Sequence, residues 1–273
     1  MTPPAPRPAR EPIFHIPAPV TASILALVAV HALRSWLLDA SVDFELLFEL
    51  AVIPARWTAA FGGYSADEIV AALRGVGDET RALQIEIARY VLAQGSAKVW
   101  TALTYAALHG SWPHVLMNGI WLAAFGTPVA RRFGALRYVL LLGATAAGGA
   151  VAHALVHPFS ALPMIGASAA VSGMMAAAAW FMFAPRTWLL EGRPAEPHER
   201  PREHLADLVR NRRVVTFLVV WLATNWLSAI LAQPLGVTDA SIAWEAHVGG
   251  FLVGLLLFPL LDPLKARSRR GLA

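Results

Sequence analysis

The sequence predicts an all-α membrane protein built as a bundle of six transmembrane helices. Of its 273 residues, 57% are hydrophobic and only 15% are charged, whereas about a quarter of the residues of a soluble domain are charged. The chain also contains six apolar stretches close to the roughly 20 residues that a helix needs to cross a bilayer. Finally, its basic residues concentrate in alternate connections between these stretches, as the topology of a multi-pass protein requires.

The six predicted spans divide the chain into segments. In order they are residues 18–38, 111–130, 135–156, 164–185, 213–233 and 243–262. Residues 1–15 are proline-rich and are expected to form a disordered cytoplasmic N-terminus, residues 16–264 the six-helix domain, and residues 265–273 a basic cytoplasmic tail. The first apolar run lacks a small-residue cleavage site, which favours a retained span over a signal peptide.

The positions of Lys and Arg predict the orientation of the bundle. With a cytoplasmic N-terminus, sixteen of the 22 basic residues lie on the cytoplasmic side, many of them in the loop of residues 186–212. Both termini are therefore expected in the cytoplasm. The same distribution explains the pI near 9.9, because these residues would face anionic lipid; nucleic acid is not predicted as a partner.

The long outer loop of residues 39–98 is expected to be helical. Residues 43–60 mix large apolar and acidic side chains, which is typical of a helix lying in the membrane interface. Ser65 and Glu68 match a capping box that starts a second, more polar helix extending to about residue 93.

Four polar residues lie inside the predicted spans, where an unpaired polar group is costly. His114 and Asn118 lie in the first two turns of the second span, Ser168 about one turn into the fourth, and His247 about one turn into the sixth. All three spans run inward from the outer face. At 1.5 Å per residue, the four residues lie within roughly 5–12 Å of the outer surface, so they are expected to meet at one depth.

These residue types suit hydrolysis by an activated serine. His247 could act as the base that removes the proton of Ser168. His114 and Asn118, four residues apart, share a helix face and could donate to an oxyanion together with the Ser168 backbone N–H. Glu245 precedes His247 by two residues and so faces another side of the helix, which favours a dyad. The absence of cysteine excludes a thiol nucleophile.

Small residues predict close packing of the fourth and sixth spans. Gly250 and Gly254 give the sixth span a flat face, and the fourth offers Ala169, Ser172 and Gly173. Small side chains let two helix backbones approach closely in a membrane. This approach would bring Ser168 within hydrogen-bond reach of His247.

Three motifs resemble the rhomboid family of intramembrane serine proteases. They are HGSWPHVLMN at 109–118, GASAAVSG at 166–173 and AHVGGFLVG at 246–254. The resemblance implies that Ser168 is the nucleophile and His247 its general base. It also implies an oxyanion hole formed by His114, Asn118 and the Ser168 amide.

The resemblance extends to supporting positions and includes three departures. It places His109 at the mouth of the site, and Gly166, Gly250 and Gly254 fall within the matching motifs. Where the family usually has glycine after the serine, this chain has Ala169, which could crowd the oxyanion. Ser172 stands where many members have an aromatic residue that supports the histidine ring. The third departure is Thr101 after Trp100, where the family often has a tryptophan–arginine pair before the second span, so that this loop could be anchored differently.

The function implied is cleavage of transmembrane segments of single-span membrane proteins near the outer face, without a cofactor. Substrate would enter from the lipid past the fifth span. An alternative is a catalytically inactive rhomboid-like protein that binds membrane clients as a chaperone. A third possibility is a transporter or metal-handling protein that uses His109, His114 and His247. His153 and His157 also resemble a metal-binding pair, but no third ligand is apparent in the sequence, so a structural or interfacial role is expected for them.

Overall fold

The computed structural model describes residues 16–75, 77, 80–184, 189–190, 193–231 and 242–264, and this part of the chain is predominantly helical. Strands β1 (Leu189–Leu190) and β2 (Arg193–Pro194) form a small antiparallel pair. The helices are α1 (Ala18–Trp36), α2 (Ala40–Leu50), α3 (Pro54–Phe61), α4 (Ala66–Arg74), α5 (Arg81–Ala93), α6 (Thr101–Thr104), α7 (Trp112–Trp121), α8 (Thr127–Val156), α9 (Ser168–Met182), α10 (Leu205–Leu208), α11 (Arg212–Leu231) and α12 (Trp244–Leu261).

Within the described residues, three helical stretches are long and apolar enough to cross a membrane: Ala18–Trp36, Trp112–Val156 and Trp244–Leu261. The second contains 45 residues because a π-helical turn, Leu122–Gly126, joins α7 to α8. Gly134 interrupts this stretch with φ 72° and ψ 173°, a conformation that glycine adopts without steric cost. The break falls within residues 131–134, the predicted connection between the second and third spans.

In its described part, the outer segment between α1 and α6 contains four helices. Residues 43–60 are divided between α2 and α3, so the prediction of one helix there is wrong. Helix α2 ends before Ala51 because Val52 pairs with Met164. The Val52 N–H donates to the Met164 carbonyl at 3.2 Å, and the Met164 N–H donates to the Val52 carbonyl at 2.8 Å. Pro54 then opens α3, where the lack of an N–H costs no helical hydrogen bond.

The predicted helix from Ser65 to about residue 93 is also two helices, α4 and α5, separated at Gly75. The capping box at its start is confirmed. The Ser65 hydroxyl accepts from the Glu68 N–H at 3.3 Å, and the Glu68 carboxylate accepts from the Ser65 N–H at 2.8 Å. The second bond also holds the pKa of the Glu68 carboxyl below its usual value.

These outer helices bury a hydrophobic cluster of their own. It contains Phe48, Ile53, Ala55, Ile69, Val70, Leu73, Ala88, Val91 and Ala161. Beside it lies buried Arg56, which donates to the Phe48 carbonyl and, at 3.1 Å, to the Gln94 side chain. The outer segment is therefore a packed unit against the helical bundle.

A buried ion pair joins the end of the bundle that is farthest from Ser168. Arg132 donates two hydrogen bonds of 2.8 Å to the carboxylate of Asp262, and both side chains are fully buried. The guanidinium also donates to the carbonyls of His198 and Arg200 and lies 4.8 Å from the Phe181 ring centroid. Arg132 is thus an internal structural group, whereas the sequence suggested an arginine at the lipid surface.

We predict that Arg132→Ala lowers the free energy of unfolding by about 3–5 kcal/mol, because it leaves Asp262 buried without its main partner. Arg131→Ala is the matched control, since the Arg131–Glu196 pair is 3.6 Å apart and partly exposed, and it should cost less than about 1 kcal/mol. Denaturant titration of the purified protein in detergent micelles measures both. Equal losses in the two variants would contradict a special role for the buried pair.

Candidate active site

Ser168 is the first residue of α9, so the prediction that the helix begins near residue 164 is wrong by one turn. The preceding residues are held out of the helix by the pairing of Met164 with Val52 and by Gly166, whose φ is 120°. A residue with a side chain rarely adopts that conformation. Ser168 therefore lies at a helix N-terminus, where backbone N–H groups lack helical partners and favour negative charge.

The structure brings Ser168 and His247 together. The hydroxyl of Ser168 lies 2.7 Å from Nε2 of His247, although 79 residues separate them in the chain. His247 is in the first turn of α12, as predicted. The distance is that of a hydrogen bond between a nucleophile and its base.

Glycine makes this contact possible. A Cβ placed on Gly250 would lie 2.1 Å from the carbonyl oxygen of Ala169, and one on Gly254 would lie 2.3 Å from that of Gly173. Such distances leave no space for any side chain at either position. Helices α9 and α12 therefore approach backbone to backbone along the line that leads to Ser168 and His247.

Ala169 stands where the family usually has glycine. Its methyl group lies against α8, only 2.4 Å from the position that a Cβ on Gly149 would occupy. The hydroxyl of Ser172, a second departure, donates to the Ser168 carbonyl at 2.8 Å. Ser172 thus bonds to the backbone of its own helix.

Asn225 on α11 contacts the other nitrogen of His247 and was not identified from the sequence. Its Nδ2 donates to the Trp221 carbonyl at 2.8 Å, which turns Oδ1 toward Nδ1 of His247, within hydrogen-bond distance. An oxygen acceptor there requires a hydrogen on Nδ1, so Nε2 of neutral His247 faces Ser168 as an acceptor. A lone amide in an apolar span was the signal that could have singled out Asn225.

Both predicted oxyanion side chains are on α7, and that of His114 lies beside Ser168. A Cβ placed on Gly166 would be 2.9 Å from Nε2 of His114 and 3.8 Å from the Ser168 hydroxyl, so both groups surround one point. Asn118 is buried, and its Nδ2 donates to the His114 carbonyl at 3.1 Å. Because an amide nitrogen carries two hydrogens, Asn118 retains a second N–H for a ligand.

His109 supports this arrangement from the loop before α7. Its Nε2 accepts from the Ala167 N–H at 3.5 Å, and its ring meets that of His114 edge-on with centroids 4.8 Å apart. Arg34 of α1 fixes the loop, donating to the His109 carbonyl at 3.1 Å and pairing with Asp43. His109 is thus fully enclosed behind the serine loop.

Glu245 points away from Ser168, as its position in the helix indicates, and toward α8. Its Oε1 lies 2.8 Å from Nδ1 of His153 and 2.8 Å from Nε2 of His157. The sequence offered no third group for the two histidines; the fold supplies Glu245, 92 residues away from His153.

Comparison with known proteins gives the family. The model of the Rhomboid domain matches residues 96–262, more than half of the chain. A protein named Rhomboid protease GlpG from Enterobacter sp. (strain 638) is 28% identical over 171 residues, which cover 63% of this chain and 51% of that protein. Proteins of the same name from two strains of Klebsiella pneumoniae are each 25% identical over 172 residues, with the same coverage.

The chain belongs to the rhomboid family, a family of multi-pass membrane proteins. It spans about half the length of the curated relatives it matches. The family match begins at residue 96 and contains Ser168, His247, His114 and Asn118.

We predict that Gly250→Ala lowers the rate at which a fluorophosphonate labels Ser168 by about 100-fold, the cost of a displacement of roughly 1 Å between reacting groups. The new methyl group must push α12 away from α9 and so separate His247 from Ser168. Gly143→Ala is the control, because a Cβ there would meet its nearest neighbour at an ordinary 3.7 Å. An unchanged labelling rate in Gly250→Ala would show that the close helix contact is dispensable.

Proposed function

We propose that this protein is an intramembrane serine endopeptidase that cleaves transmembrane segments of other membrane proteins near the outer face. The observation that carries the proposal is the 2.7 Å contact between Ser168 Oγ and His247 Nε2, with Asn225 on the opposite nitrogen. This arrangement supplies a nucleophile, a base in the required tautomer and a group that orients the base.

The first step is attack of the Ser168 hydroxyl oxygen on the carbonyl carbon of the scissile peptide bond. His247 Nε2 takes the hydroxyl proton as the new C–O bond forms, and the resulting imidazolium is held by the Nδ1–H bond to Asn225. Since Asn225 is uncharged, it orients the ring without adding a counter-charge.

The negative charge that develops on the carbonyl oxygen needs donors. The Ser168 backbone N–H, the His114 imidazole and the second N–H of Asn118 would be these donors. In support, His114 Nε2 and the Ser168 hydroxyl both lie close to the space beside Gly166 in which this oxygen would lie. Because Gly166 has no side chain, that space stays open to the substrate.

Breakdown of the tetrahedral intermediate breaks the C–N bond, and His247 returns the proton to the leaving amine. The acyl group then remains as an ester on Ser168. A water molecule, whose proton His247 accepts, attacks this ester and releases the new carboxyl end together with the free Ser168 hydroxyl. Water must reach the site from the outer face, where the outer segment of α2–α5 lies above the bundle.

For the membrane, we propose six spans with both termini in the cytoplasm of a bacterial cell. A single-span substrate would enter from the lipid past α11. Aromatic rings provide much of the contact of α11 with its neighbours, such as Phe217 with Phe125 at 5.7 Å between centroids and Trp221 with Phe251 at 4.4 Å. A helix held in this way can separate from its neighbours without breaking backbone hydrogen bonds.

We predict that Ser168→Ala abolishes cleavage of a panel of single-span membrane proteins by the purified enzyme, with products mapped by mass spectrometry. Ser23→Ala in α1, whose hydroxyl bonds to its own helix at Pro19, is the control and should cleave normally. Cleavage by Ser168→Ala at the wild-type rate would rule out this mechanism. A wild-type protein that neither cleaves nor reacts with a fluorophosphonate would favour the client-binding chaperone.

We predict that Asn225→Leu lowers kcat by about 10- to 100-fold with little change in KM, because the imidazole loses its orienting acceptor. Asn225→Asp keeps an acceptor oxygen at that position and should restore most of kcat. Thr224→Ala on the exposed face of α11 controls for general damage to the helix, since its hydroxyl bonds to the Val220 carbonyl of the same helix. Equal kcat in the leucine and aspartate variants would exclude a positioning role for Asn225.

A further inference from the structure

A second cluster of ionisable groups lies between the end of α8 and the start of α12. It consists of His153, His157 and Glu245, whose ligand atoms all lie within 4.8 Å of one another. His153 lies in the last turn of α8, and His157, which directly follows that helix, donates its backbone N–H to the His153 carbonyl at 2.9 Å. Glu245 comes from the first turn of α12. The proposed peptidase mechanism uses none of the three.

We propose that His153, His157 and Glu245 form a binding site for a zinc ion. Two imidazole nitrogens and one carboxylate oxygen are a ligand set that zinc adopts in proteins, with water in the fourth position of a tetrahedron. The two histidines have the i, i+4 spacing that helical zinc sites use to place two imidazole nitrogens on one ion.

The distances fit this ion. Both nitrogens approach the same carboxylate oxygen, Oε1, at 2.8 Å. In a tetrahedral site with bonds of about 2.0–2.1 Å, neighbouring ligand atoms are about 3.3–3.4 Å apart. To admit zinc, each nitrogen needs to retreat from Oε1 by about half an ångström, and the two histidine ligand atoms, which lie within 4.8 Å of one another, need to reach the same separation.

Burial of the groups distinguishes this cluster from a surface ion pair. The side chain of Glu245 is 7% exposed and that of His153 is 12% exposed, so two ligands are held in place by packing. His157 is 48% exposed, which leaves an entrance for a hydrated ion and a position for a bound water. By the predicted orientation, the cluster lies at the outer face, in contact with the extracytoplasmic medium.

Zinc here would join α8 to the turn of α12 that carries His247, because Glu245 precedes His247 by two residues. The ion would stabilise the folded chain, since it binds ligands brought together only by the fold. This consequence is a property of the bundle and does not depend on the proposed peptidase activity.

The test is zinc affinity of the full chain in detergent micelles, after removal of metal with a chelator, measured by competition with a chromophoric zinc indicator. We expect one ion per chain. The double variant His153→Asn/His157→Asn should lose at least about 100-fold in affinity, because even loss of a group behind a ligand costs roughly 10- to 100-fold. Zinc should raise the midpoint of thermal unfolding of the wild-type chain but not of this variant.

Two controls separate this cluster from other histidines. His198→Asn removes a histidine that lies 3.3 Å from Glu196 at the other end of the bundle, and it should bind zinc as the wild type does. His114→Ala removes a histidine of the candidate active site and should also leave zinc affinity unchanged. Loss of zinc in His114→Ala, or no stoichiometric zinc in the wild type, would overturn the proposal.

A measurement on the unaltered chain covers the case in which the double variant fails to fold. Diethylpyrocarbonate modifies accessible imidazoles, and zinc should protect His157 from it while His198 stays reactive; peptide mass spectrometry reads out both sites. Equal modification of His157 with and without zinc would also overturn the proposal.

Discussion

The close contact of α9 and α12 is the constraint on which the rest of the structure depends. Gly250 and Gly254 allow the α12 backbone to touch that of α9, and Gly249 does the same toward α8, where a Cβ would lie 2.7 Å from the Gly148 carbonyl. Small residues are the means by which helices pack in lipid, where no hydrophobic force draws them together. This packing brings His247 within hydrogen-bond distance of Ser168. It also brings Glu245, on another face of the same turn, into contact with His153 and His157.

Several polar groups within the bundle are stable there because another element supplies their partner. Ser168 meets His247, His247 meets Asn225, and Arg132 meets Asp262. An unpaired group in these places would cost several kcal/mol. Such partnerships make the positions of helices specific, since a helix that shifts by a turn loses its partner. They also link α11 to the orientation of the His247 imidazole.

Specific contacts fix the loops around the site. Gly166 holds the segment before Ser168 in a conformation open only to glycine, and the pairing of Val52 with Met164 fastens that segment to the outer helices. Arg34 anchors the next loop through the His109 carbonyl. The outer segment thereby has a structural connection to the serine loop. A helix forced to start earlier than Ser168 would use the backbone amides beside this serine in helical hydrogen bonds.

The sequence alone determined the helical class and the apolar stretches, because hydropathy, charge and small-residue patterns are local properties of the chain. It also singled out His114, Asn118, Ser168 and His247 as candidate site residues. It also determined the capping box of Ser65 and Glu68. Only the tertiary structure decided the partners: Asn225 for His247, Glu245 for His153 and His157, and Asp262 for Arg132, the last separated by 130 residues. The tertiary structure likewise divided residues 43–60 between α2 and α3, because Val52 pairs with Met164 and does not continue the helix. Side-chain partnerships across helices depend on the rotation and depth of each helix, and periodicity within one helix does not specify these.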